Sequence, residues 1–249
     1  MSRAAARHQR RQEKKKDHGP LLRLVEEEIT RAPVRASRAP LKPLTEAQRL
    51  YGAAIRASRV TFGIGPAGTG KTWFAAALAA EALLAGEIER IIITRPAQEA
   101  ADEKMGFLPG ELDEKIEPYF RPVRDALEER LGSGQLEYLI KSKTIEVRPL
   151  AFLRGATFKR AMIIADEMQN STVTGMKMLL TRMGEGSTMV VNGDPDQCDL
   201  PDPAKSGLLD AIDRLKHVQC VSAIHFGVED IVRDSVVQEI VEAYMRKRP

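Results

Sequence analysis

VTFGIGPAGTGKTWF, residues 60–74, sets an apolar run directly against a glycine-rich segment and then a chain of helix formers. The run VTFGI at 60–64 reads as a buried strand, and the alanine-rich stretch from Thr69 to Ala85 reads as a helix able to lie close on a sheet. Between them GPAGTGKT, residues 65–72, satisfies G-x-x-x-x-G-K-[ST]. In that setting Gly65, Gly68 and Gly70 let the backbone approach an anion, with Pro66, Ala67 and Thr69 completing the loop, while the helix that follows points its positive dipole end at the same place. Lys71 brings a full charge to the β- and γ-phosphates of a nucleoside triphosphate such as ATP, and Thr72 brings a hydroxyl for Mg²⁺. A merely tight strand-to-helix turn would need neither the lysine nor the threonine.

Outward from this segment, further apolar runs alternate with helical patterns. IIIT at 91–94, IEVRPL at 145–150, AMIIAD at 161–166, TMVVN at 188–192 and VQCVSAI at 218–224 read as strands, and 172–183 as a helix with Met176, Leu179, Leu180 and Met183 on one face. Continuous apolar strands alternating with helices predict an α/β fold, a parallel sheet covered by helices on both faces. Thr45 followed by Gln48 reads as a capping box that opens a helix to about Ala57. Residues 97–145 carry Gly106, Pro109, Pro118 and Pro122 among many charges, which predicts a helical insertion made of short pieces and loops. VVQEIVEAYM at 236–245 closes the chain as a helix.

Two more segments carry chemistry. IIADEMQN at 163–170 delivers Asp166 and Glu167 to the carboxyl end of a strand, where a parallel sheet collects its ligands. Asp166 is the candidate Mg²⁺ ligand beside Thr72, and Glu167 the candidate that orients or deprotonates an attacking water. VVNGDPDQ at 190–197 brings Asp194 and Gln197 to another strand end; Asn-Gly-Asp-Pro-Asp is equally a good turn, and Gln197 is the candidate sensor of the γ-phosphate or the water.

Composition narrows the rest. The chain has 249 residues with 38 basic against 35 acidic, a balance too even to argue for nucleic-acid binding by itself. The charge is local: Arg3, Arg7, Arg10, Arg11, Lys14, Lys15 and Lys16 crowd the start, so residues 1–40 read as a flexible basic tail, either simply solvated or a phosphate-binding arm, with the ordered domain over 41–249. No run of about 18 uncharged apolar residues and no apolar signal core is present, which predicts a cytoplasmic protein without a membrane partner. Cys198 and Cys220 form no C-x-x-C pair, and His8, His18, His217 and His225 show no metal-ligand spacing. Aromatic residues make up 5%, so nucleic acid would be held through its backbone rather than by stacked bases.

Taken in order, GPAGTGKT, IIITRPAQEA, MGFLPGELDEKIEPYFRP, PLAFLRGATF, IIADEMQN, MLLTRMGEGSTMVVNGDPDQCDLP and IVRDSVVQEIVEAY closely resemble the PhoH family of phosphate starvation-inducible ATPases, related to superfamily 1 helicase cores. The resemblance runs from about Leu44 to Tyr244. It implies a RecA-like fold, Mg²⁺-dependent ATP hydrolysis with possible use in unwinding, an RNA or single-stranded DNA partner, and a homo-oligomer in a ring such as a hexamer. Gln48 then resembles an adenine-reading glutamine, although the capping box explains it equally well. Thr94, Arg95 and Pro96 resemble a segment that touches nucleic-acid backbone, the alternative being a strand end with a solvated arginine. Arg154 and Arg233 become candidates for a transition-state arginine. Where the family often reads Asp-Glu-Ala-Gln-Asn, this chain has Met168 at the third position, an apolar exchange that leaves the acids' roles intact. A nucleotide-responsive binding or scaffold switch with little turnover, and a small-molecule kinase, are the rival readings.

Overall fold

The computed structural model of the chain describes residues 35–37, 39–96, 112–233 and 236, the side chains of 112–119 and 204 excepted. Six strands are present among them: β1 (Val60–Ile64), β2 (Arg90–Arg95), β3 (Ile145–Pro149), β4 (Ala161–Ala165), β5 (Thr188–Gly193) and β6 (Val221–His225). All pair in parallel, in the order β3-β2-β4-β5-β1-β6. The order seats β5 between β1 and β4, so the loops leaving these three strands are consecutive along the carboxyl edge of the sheet.

Strand periodicity divides the core into two. Ile91, Ile93, Met162, Ile164 and Val190 face one layer, and Ile92, Ala161, Ile163, Ala165, Met189 and Val191 face the other. The first layer holds α1 (Glu46–Ala57), α2 (Lys71–Leu84), α3 (Leu112–Leu131) and α4 (Ser133–Lys141), through Tyr51, Phe74, Leu127 and Leu136. The second holds α5 (Val173–Leu180) and α6 (Gly207–Leu215), through Met176, Leu179 and Leu208, together with the 3-10 turn Leu150–Leu153. This is the parallel sheet covered on both faces that the apolar runs predict. In α2, Ala75, Ala76, Ala77, Ala79 and Ala80 are all fully buried, so the helix approaches the sheet on a face of methyl groups.

Four expectations change in detail. The main piece of the insertion is not a set of short helices: α3 is one 20-residue helix that runs through Pro118 and Pro122. Each proline removes a helical N–H, at roughly 3 kcal/mol in a helix interior, but Phe120, Val123, Ala126, Leu127 and Leu131 bury a continuous stripe on α2, and burial on that scale outweighs the lost bonds. The last strand begins at Val221 rather than 218, because Val218 and Val221 are tied into a turn by Val218 N donating to Leu215 O and Val221 N to Val218 O. Helix α5 ends at Leu180, short of Met183, which instead bridges to Phe158. Only half of the capping box forms: the Thr45 hydroxyl accepts from Gln48 N, but the Gln48 side chain does not return to Thr45. The basic stretch at 1–34, residues 97–111 of the expected insertion and the expected closing helix beyond Val236 lie outside the described residues. No described helix is long and apolar enough to cross a membrane.

Candidate nucleotide site

The loop at 65–70 hangs between β1 and α2 and is braced from three sides. Gly65 N donates to Gly193 O at the end of β5 (3.1 Å), and Phe226 N donates to Ile64 O (2.7 Å). Gly65 has φ +140, and a Cβ there would lie 2.3 Å from the Phe226 carbonyl oxygen, so the position excludes any side chain by conformation and by space. Gly70 caps α2 in the left-handed region, φ +79. Behind it Gln48, 4% exposed, uses its amide twice: Oε1 accepts from Leu44 N (2.8 Å) and Nε2 donates to Thr69 O (3.0 Å). The residue that reads as a cap or an adenine contact thus ties the start of α1 to the phosphate-type loop. Under the loop, the Tyr51 ring meets Phe226 edge-on at 5.3 Å, and its hydroxyl donates to Asn192 Oδ1 (2.5 Å).

Lys71 is buried in this frame. Its ammonium donates to Gly65 O and Pro66 O, both at 2.7 Å, and to Thr69 Oγ1 at 3.1 Å, and it sits 5.7 Å from the centre of the Phe226 ring. Thr72, one residue further into α2, donates its hydroxyl to Asp166 Oδ1 at 2.8 Å. The two residues read from sequence as metal ligands are therefore in direct contact, a hydroxyl and a carboxylate from segments far apart in the chain. All-oxygen donors of this kind suit Mg²⁺, which takes one or two carboxylates and completes its shell with phosphate oxygens and water. Among the described residues no group of three or more His, Cys, Asp or Glu side chains could hold a metal ion.

Asp166 follows β4, and its N–H donates to Thr94 O (2.9 Å) on β2. Glu167 then adopts φ +54, a left-handed backbone that non-glycine residues occupy at a cost. The chain reverses parity there, so Glu167 does not continue the strand's alternation. Its Oε1 lies 3.4 Å from Arg95 Nη2, and its Oε2 accepts from Gln169 Nε2 at 2.6 Å. Gln169, 1% exposed, also donates to Gln197 O (3.3 Å) and accepts from Asp194 N (3.1 Å) through Oε1. The local pattern assigned this residue no role; its sequence signals are the position two after Glu167 and the glutamine of the Asp-Glu-Ala-Gln-Asn string. Asp194 forms the expected turn, with Oδ1 accepting from Asp196 N and Oδ2 from Gln197 Nε2 (2.8 Å), so Gln197 lies exposed at the rim with its amide on Asp194.

Burial pushes the Asp166 carboxyl above its usual range, countered by the Thr72 hydroxyl and assisted by the neighbouring Glu167 charge. Burial likewise raises Asp194 and lowers Lys71, whose charge is upheld by Asp194, Asp166 and Glu167 in turn. Five ionisable groups thus meet at these strand ends, Asp166, Glu167 and Asp194 against Lys71 and Arg95, so negative charge is in excess. Asp166→Asn keeps the acceptor for Thr72 and removes one of those negative charges. We expect its melting temperature at neutral pH, without nucleotide, to rise by a few degrees. The sign follows from the raised pKa: the folded state holds the proton more tightly than the unfolded chain, so ionised Asp166 subtracts from stability at high pH. The gain should shrink as pH falls through that raised pKa, and thermal melts of both proteins across acid pH check it.

The candidate arginines separate. Val232 N donates to Gly68 O (2.9 Å), and a Cβ on Gly68 would lie 2.6 Å from Arg233 Nε, so Arg233 rests against the loop itself. Arg154 is exposed just after the 3-10 turn that follows β3, the strand at the opposite end of the sheet order from β6. Arg95 ends β2 beside Glu167; Thr94 is buried with its hydroxyl unpaired, and Pro96 is buried.

The sequence matches the family model described as PhoH-like protein over residues 40–245. Protein PhoH of Escherichia coli (strain K12) is 47% identical over 208 residues, which cover 83% of this chain and 58% of that protein. The PhoH-like protein of Bacillus subtilis (strain 168) is 48% identical over 221 residues, 89% of this chain and 68% of that one, and the PhoH-like protein of Synechocystis is 51% identical over 199 residues, 80% and 60%. The chain therefore spans about three fifths of the length of the curated relatives it matches. Among solved structures, the large terminase from a thermophilic bacteriophage superposes with a TM-score of 0.53 at 13% identity, covering 84% of this chain and 51% of that one, a likeness of fold. The braced glycine loop, the acidic end of β4 and a family match that spans both make this chain a member of the PhoH-like family, built on the fold of P-loop nucleotide-binding ATPases.

Proposed function

We propose that this chain is a Mg²⁺-dependent ATPase of the cytoplasm whose turnover is coupled to single-stranded nucleic acid, RNA or DNA, and which works as a homo-oligomeric ring. The observation that carries the reading is the contact of Thr72 Oγ1 with Asp166 Oδ1, 2.8 Å apart beside the buried Lys71. Lys71 would exchange its bonds to the Gly65 and Pro66 carbonyls for phosphate oxygens, and Thr72 and Asp166 would hold the metal, which supplies charge to neutralise the triphosphate. Glu167 takes a proton from the attacking water as the water oxygen bonds the γ-phosphorus and the bridging oxygen leaves with ADP. Gln197 and Asp194, at the neighbouring strand end, sense the γ-phosphate. Arg233, against Gly68, is the proposed transition-state arginine; Arg154, exposed at the other end of the sheet order, is its counterpart if a neighbouring subunit supplies that charge. Gln48 can read an adenine only by releasing Leu44 N or Thr69 O.

ATP turnover measured with and without oligouridylate or oligodeoxythymidylate, on protein of known mass by light scattering, tests this reading. Turnover should require Mg²⁺ and rise with the oligonucleotide, and polymer affinity should fall steeply with salt if phosphate contacts dominate. A monomer that hydrolyses ATP rapidly and ignores both polymers would remove the coupling and the ring together.

A further inference from the structure

Both carboxylate oxygens of Glu167 are held, and the two holders differ in kind. Gln169 is buried, and its amide is pinned at its far side by Asp194 N and at its near side by Gln197 O, so its 2.6 Å bond to Oε2 belongs to a rigid frame. Arg95 is the last residue of β2, its side chain is 29% exposed, and it meets Oε1 at 3.4 Å. An ion pair so placed is weak and open to exchange, whereas a guanidinium forms strong paired bonds with a phosphodiester. The strand order puts β2 next to β4, so this exchangeable cation touches the acid of the nucleotide site from the neighbouring strand end.

We propose that Arg95 is an anion-released clamp on Glu167. While the guanidinium holds Oε1, that oxygen is turned toward β2 rather than toward a water; a phosphodiester that captures Arg95 releases Oε1, and Gln169 keeps the carboxylate in position through Oε2. Polymer binding thereby raises the rate of the chemical step through one side chain. The partner named here rests on the reading of the chain as a nucleic-acid-coupled ATPase.

The test uses the full chain, oligouridylate and oligodeoxythymidylate as probes, and kcat at saturating ATP. Arg95→Gln should raise turnover without polymer by up to about fivefold, the factor that corresponds to the upper range of an exposed ion pair, and should lose the response to polymer. Arg95→Lys, which keeps the charge, should stay slow without polymer. Arg95→Gln combined with Glu167→Gln should be as inactive as Glu167→Gln alone, which shows that the gain passes through the acid. A melting curve matching the parent excludes misfolding, and Arg95→Lys serves as the folded comparison if Arg95→Gln melts early. If Arg95→Gln is slower or unchanged without polymer and still responds to it, the clamp is overturned while nucleic-acid coupling stands. If fluorescence anisotropy shows that the parent protein binds neither polymer, the coupling itself fails, and the phosphodiester as releasing anion fails with it.

Discussion

Lys71→Ala is expected to lower nucleotide affinity by about 2–5 kcal/mol, the usual cost of truncating one partner of a buried, hydrogen-bonded charge pair, and to reduce turnover by a further 10²–10³-fold, as for other single groups that stabilise a developing charge. The residue is 8% exposed, and its ammonium donates to two loop carbonyls and the Thr69 hydroxyl. Removing it takes a donor from each of those acceptors, with Pro66 O keeping only the Thr69 hydroxyl (3.1 Å), and leaves Asp194, Asp166 and Glu167 without the cation that their charges uphold. The loop is therefore expected to loosen as well, with a lowered melting temperature, in the opposite direction to Asp166→Asn. Lys71→Arg should not rescue, because a planar guanidinium does not fit a pocket closed by the Phe226 ring and the loop backbone. Calorimetry with Mg-ATP and steady-state kinetics on the same preparation separate binding from turnover, and parent-like hydrolysis by Lys71→Ala would refute the assignment of this loop.

Glu167→Gln should cost about 10²–10⁴-fold in kcat, the range for a positioned general base, with affinity for Mg-ATP changed only a few-fold. The substitution is nearly isosteric: the side-chain oxygen can still accept from Gln169 Nε2, and the φ of +54 is no harder for glutamine than for glutamate. What disappears is the anion that accepts the water's proton, together with a part-exposed pair to Arg95 worth at most about 1 kcal/mol. Loss of phosphate release with retained binding therefore reports chemistry rather than folding. Unchanged turnover would favour the rival reading, in which ATP occupancy switches a binding surface and the acid has no proton to take.

The parts of the molecule that were legible in the sequence are those whose physics is local. A five-residue apolar run such as AMIIA at 161–165 is short for a buried helix and reads as an interior strand, and GPAGTGKT is contiguous, so its geometry follows from its own glycines and the helix behind it. Thr45 announced the start of α1 in the same way, by a bond to a backbone N–H three residues on. Local rules failed where burial outweighed them, as in α3, which runs through two prolines because its apolar stripe has a partner in α2.

What the tertiary structure alone decided is who meets whom at the sheet's carboxyl edge. The apolar runs are interchangeable as patterns, and only packing sets the order β3-β2-β4-β5-β1-β6, which brings the ends of β1, β5 and β4 together and β2 against β4. From that order come the bond between Thr72 and Asp166, the Tyr51 hydroxyl on Asn192, Arg233 against Gly68, and Gln169 as the link between Glu167 and the 194–197 turn. Each joins residues too distant in sequence for any periodicity to register. The chain's own pattern names the groups able to bind a phosphate and a metal, while their distances and charges depend on long-range closure of the sheet, a property of the whole core rather than of any segment.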